Sequence, residues 1–143
     1  MHCRRLLLIV LTIAGLVGAS GVASASRLVV VVERASRVGE MSRSQVVNAF
    51  LGRFRQLPDG TRAHTADNEE LKERFYLELV DKTPGEIGAY WARLIYSGQT
   101  LPPRQLNDSA QLVEWLIETP GGIGYTTEDR IDERLRVLFV LEP

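Results

Sequence analysis

The residues with most chemical potential stand together at His64-Thr65-Ala66-Asp67-Asn68-Glu69-Glu70. An imidazole beside three carboxylates has the donor types of a metal site or an acid–base pair. Metal sites, however, usually need three or four ligands that converge on one point. Adjacent positions at the start of a helix diverge instead. Asp67 with Glu70 three residues on has the form of an N-terminal cap, and carboxylates there complement the helix dipole. The competing reading is therefore a solvated helix start. No metal site and no catalytic residue is assigned, and the chain is expected to be a non-enzyme that needs no cofactor.

Other constellations are weaker still. No Ser sits in a Gly-x-Ser-x-Gly elbow. Gly121-Gly122-Ile123-Gly124 lacks the Lys-Ser/Thr of a phosphate-binding P-loop, and its place between a helix and a strand suits a turn. The alternative is that its N–H groups line a ligand surface. Arg53, Arg55 and Arg93 have the planar fork that suits oxyanions, though arginine is also the ordinary basic residue of this chain, Lys72 and Lys82 being the only lysines.

The elements that must position these groups can be read from periodicity. Leu28-Val29-Val30-Val31-Val32 is apolar on both faces, as a strand buried on both sides would be. Ser42 with Gln45 predicts a capped helix carrying Val46, Val47, Phe50 and Leu51 and stopping at Gly52. Pro58-Asp59-Gly60 is a turn, and Thr61 to Ala66 a weaker strand. Leu71, Phe75, Tyr76, Leu79 and Val80 recur at helical spacing. Thr83-Pro84-Gly85-Glu86 opens the clearest helix, with cap, proline at the first helical position and a closing Glu. Its apolar face is Ile87, Tyr90, Trp91, Leu94 and Ile95. Gly98 ends it, and Pro102-Pro103 prevent continuation. Asp108 with Gln111 starts a further helix, and strands are expected at 123–125 and 137–141. The order predicts an α/β class: one three-layer-like domain, a mixed sheet of about four strands covered by about four helices.

The first 25 residues read as a secretory signal peptide. Arg4 and Arg5 are basic, Leu6 to Val17 are apolar, and Ala23-Ser24-Ala25 suits cleavage between Ala25 and Ser26. The apolar run is shorter than the roughly 20 residues of a spanning helix. Residues 26–143 then form the expected single domain, periplasmic or secreted, touching a membrane only through the signal peptide. Cys3 is the only cysteine of the 143 residues, so the exported part has no disulfide and must be held by its core. Without Arg4 and Arg5, 15 basic residues face 18 acidic ones, a net charge of −3, which argues against nucleic acid as a partner.

Three segments carry a resemblance. They are Leu28–Val32 followed by Ser42–Gly52 with its Phe-Leu-Gly end; Tyr90–Gly98 with Pro102-Pro103; and Thr119-Pro120-Gly121-Gly122-Ile123-Gly124-Tyr125. Together they resemble the phosphate-type periplasmic substrate-binding proteins of ABC transporters, the type II class. The resemblance implies one lobe of a two-lobe receptor, and as ligand inorganic phosphate or a similar oxyanion, bound weakly or by a homodimer. Phosphate binders carry a Ser-Gly-Thr type turn where this chain has 64–70, so Thr65 and Asn68 are the positional ligand candidates. Three carboxylates at that place would repel phosphate. The alternative is an accessory module that has lost the ligand and meets an envelope protein partner.

Overall fold

Leu28–Glu33 forms strand β1, with Leu28 to Val32 all buried. Alternation divides its side chains: Leu28, Val30 and Val32 enter one apolar cluster, Val29 and Val31 another on the opposite sheet face. In this computed structural model, which describes residues 25–142, that strand lies inside a five-stranded sheet of order β3-β2-β4-β1-β5. The other strands are β2 (His64–Asn68), β3 (Arg104–Leu106), β4 (Gly122–Thr127) and β5 (Leu135–Val140). β2 runs parallel to both β3 and β4, while β1 is antiparallel to β4 and β5. The export reading of residues 1–24 lies outside the described residues. Ser26, at the expected cleavage point, accepts the Asp129 N–H at 3.2 Å through its Oγ.

Helices α1 (Arg43–Phe50), α2 (Lys72–Val80) and α3 (Pro84–Tyr96) cover the Leu28/Val30/Val32 face; α4 (Ser109–Glu118) covers the other. The caps follow from local sequence. Ser42 and Gln45 close a reciprocal capping box on α1, and Thr83 and Glu86 close one on α3 behind Pro84. Asp108 caps α4 by accepting the Gln111 N–H at 2.8 Å. Phe50, Phe75 and Tyr125 are fully buried at the centre of the larger cluster, each contributing on the order of 1.5–3 kcal/mol by leaving water. The Phe75 and Tyr125 rings stack 3.7 Å apart. No described helix is long and apolar enough to cross a membrane.

The α/β class and the layered mixed sheet agree with the sequence expectation, and two details differ. The sheet has a fifth strand, β3, an edge strand of 3 residues too short to show periodicity. The expected cap at Asp67 is also absent. β2 continues through Asp67 and Asn68 because Ala66, Asp67 and Asn68 pair with Arg104, Gln105 and Leu106. α2 therefore begins at Lys72, with Leu71 at its N-cap position and no side-chain cap. Parallel pairing outweighed the local capping preference.

Candidate functional site

The parallel arrangement gathers polar groups at the end of β2. Asp67 is only 1% exposed. Its Oδ1 accepts the hydroxyls of Tyr76 from α2 at 2.9 Å and of Tyr125 from β4 at 3.1 Å. Its Oδ2 accepts Gln105 Nε2 from β3 at 3.1 Å and lies 3.6 Å from Lys72 Nζ. Burial raises the Asp67 pKa above the ordinary carboxylate value, against hydrogen bonds from Gln105 and Tyr76 and the charge of Lys72. Burial, followed by the Asp67 charge, pushes both phenols up, so they stay neutral donors. These three donors and the Lys72 charge already serve the chain's own carboxylate. The expectation of three carboxylates at one solvated helix start is thus corrected: Asp67 is interior, Glu69 pairs with Lys72 at 3.5 Å, and Glu70 pairs with Arg130 at 2.9 Å.

Thr65 and Asn68 are not brought together. Asn68 is fully buried on the α4 side, where its Nδ2 donates to Ser109 Oγ at 3.0 Å. Ser109 in turn shares a 2.9 Å hydrogen bond with Thr126. The Asn68 Oδ1 accepts the Glu70 N–H at 3.2 Å. Thr65, three positions earlier in the strand, falls on the opposite face and lines a cleft at the start of β2.

That cleft, of about 660 Å³, opens where α1, α3 and α4 end. Arg55, Arg62, Arg104 and His64 line it with the hydroxyls of Thr65 and Thr100, and no Asp or Glu does. Helix C-termini attract cations in any protein. Arg55 answers that demand, donating to the Gln99 carbonyl beyond α3 at 2.7 Å. Arg62 and Arg104 take part in no ion pair among the described residues, so the cleft carries positive charge in excess of that demand. Chemically it can hold an anion by charge and hydroxyl hydrogen bonds.

Sequence reasoning missed Arg62 and Arg104, because only the folded chain sets the segment before β2 and the start of β3 on one cleft. The arginines it did select are split. Arg55 lines the cleft, while Arg53 and Arg93 border a separate groove of about 610 Å³ between α1 and α3, with Val47, Ile87 and Tyr90. Arg93 lies 5.8 Å from the Tyr90 ring centre. His64 is exposed and donates its backbone N–H to the Gly121 carbonyl at 3.0 Å. Among the described residues, no three or more His, Cys, Asp or Glu side chains are grouped to hold a metal. Gly121 forms the turn into β4 and Gly122–Gly124 belong to the strand.

No protein-family model matches the sequence, and no curated protein matches it. Solved structures do match. An ABC-type phosphate transport receptor from Vibrio cholerae aligns with a TM-score of 0.53 and 11% identity, over 79% of this chain and 45% of the receptor. A protein from Clostridium perfringens, ascribed to phosphate ABC transport as its substrate-binding protein and solved with bound phosphate, aligns with a TM-score of 0.62 and 10% identity, over 79% and 44%. This chain therefore spans less than half the length of these receptors, and over most of its described residues it shares their fold.

Proposed function

We propose that this chain is an exported, non-enzymatic solute-binding-like domain that takes phosphate or a similar oxyanion in the basic cleft at the start of β2. The observation that carries the reading is the cleft's composition: three arginines and a histidine with no carboxylate among its lining residues. The export pattern of residues 1–25 and the fold shared with phosphate-transport receptors support it. Arg62 and Arg104 supply charge and Thr65 a hydroxyl donor. Asn68 is assigned an indirect role, holding the turn through Glu70 with an amide already bonded to Ser109. An open, one-sided cleft excludes little water, so binding is weak, and a second copy of the chain would strengthen it by closing over the ligand. Titration calorimetry with phosphate and sulfate tests this. Expected is weak, salt-sensitive binding that is lost in the Arg62→Gln/Arg104→Gln double variant. No binding, or binding indifferent to that variant, overturns it.

One observation favours a second reading. The donors converging at the end of β2 are spent on Asp67, as they would be in a domain that had exchanged a bound anion for its own carboxylate. Such a domain would act as an accessory module of the cell envelope, meeting another protein. Cross-linking in cells that recovers the chain only as an unpartnered monomer would end that reading.

A further inference from the structure

We infer that the cleft at the start of β2 recognises an anionic group attached to an apolar body, in preference to a bare inorganic ion. The inference rests on the anion-binding reading of that cleft and adds the class of ligand. Its volume, about 660 Å³, falls within the roughly 300–1,000 Å³ of pockets that enclose organic ligands. A tetrahedral oxyanion alone would leave most of it to water.

The walls differ in chemistry according to the segment that builds them. The starts of β2 and β3 contribute Arg62, His64, Thr65 and Arg104, while the loop after α1, the end of α3 and the loop beyond it contribute Phe54, Ile95 and Leu101. These three are 56%, 49% and 80% exposed and account for half of the six exposed large apolar side chains among the described residues. Their gathering on one cleft is a patch of the kind that marks binding surfaces. An apolar group laid against them would be withdrawn from water while its anion reached the arginines.

The apolar wall is also fixed in place. Gly52, at φ +68°, brings the end of α1 so close to the loop beyond α3 that an added Cβ would stand 2.9 Å from Thr100 Cγ2 and 3.0 Å from Trp91 Cη2. The Arg55 to Gln99 hydrogen bond ties the same two segments at 2.7 Å. A wall that needs no reordering loses less affinity to entropy on binding.

Calorimetric titration of the full chain with inorganic phosphate, phenyl phosphate and benzyl alcohol tests the inference. Phenyl phosphate is expected to bind about tenfold or more tighter than phosphate, and benzyl alcohol far more weakly than either. The Phe54→Ser/Leu101→Ser variant, altering two exposed side chains that folding does not bury, should lose that gain and keep the phosphate affinity. Equal affinities for phosphate and phenyl phosphate overturn the apolar-body inference and leave the anion reading standing. So does a gain that survives the double serine variant. Failure of both anions to bind overturns both readings. Benzyl alcohol binding as tightly as phenyl phosphate overturns the anion reading, since the charge would then contribute nothing.

Discussion

Tyr76 donates its hydroxyl to Asp67 Oδ1 at 2.9 Å, tying the second turn of α2 back to the end of the strand that precedes it. With Tyr125 it makes an interior polar knot beneath three helices, on the same sheet face as the aromatic stack of Phe75 and Tyr125, and the exposed Gln105 reaches it from the edge strand. A buried carboxylate is costly unless its oxygens are satisfied, and here each oxygen accepts at least one hydrogen bond.

That knot sets a pH dependence. Burial holds the Asp67 pKa above its ordinary 3.8, so between the unfolded and folded values the folded chain binds more protons. The stability drawn from this group is full below about pH 3.8 and declines as pH rises through the raised folded value. Asp59, Glu86, Asp129 and Asp132 are shifted down and slope the other way, so the test is a difference. The unfolding free energy of the wild type minus that of Asp67→Asn should fall as pH rises from about 4 and then level off. A flat difference across that range refutes the assignment.

Tyr125→Phe keeps the ring that stacks on Phe75 and removes one donor to Asp67. Loss of a hydrogen bond to a charged group predicts a destabilisation of about 1.5–3 kcal/mol, read from urea denaturation. A cost under about 0.5 kcal/mol would show that the bond does not hold the strand end.

Gly121→Ala should cost more than Gly60→Ala. Both glycines have positive φ, +77° and +85°, but an added Cβ at Gly121 would stand 2.1 Å from the Arg62 carbonyl oxygen, while nothing lies within 4 Å at Gly60. Gly60→Ala carries only the backbone cost of about 1–2 kcal/mol. Equal losses in denaturation midpoint for the two variants would contradict the tight contact between the β4 turn and the start of β2.

Thr83→Ala removes the hydroxyl that accepts the Glu86 N–H at 3.3 Å. The expected loss is about 1 kcal/mol, measured by thermal unfolding. Because Thr83 is exposed, no loss of packing should accompany it, and the denaturant slope should stay unchanged.

Much of the fold was legible because its signals are local. The capping boxes of α1 and α3 depend on residues three apart, and the helix fixes that geometry whatever surrounds it. The valine run of β1 announced burial on both faces and lies between β4 and β5 with both faces covered. Asp67 misled because a carboxylate followed three residues later by Glu looks the same before a helix as inside a strand end. Arg62 and Arg104 carried no signal at all: they are 42 positions apart in the sequence, and sharing the wall of one cleft leaves no mark on either segment.

What this sequence determined by itself is the class of structure: where α1, α3 and α4 start, that β1 is buried on both faces, and a likeness to one lobe of a phosphate-type receptor. Only tertiary structure decided that β3 joins the sheet, that Asp67 turns inward to two tyrosines, and that Arg62 and Arg104 line one cleft with an apolar wall. The division has a physical cause. Capping and periodicity act over a few bonds, whereas desolvation and charge gathering depend on which distant segments the sheet places side by side.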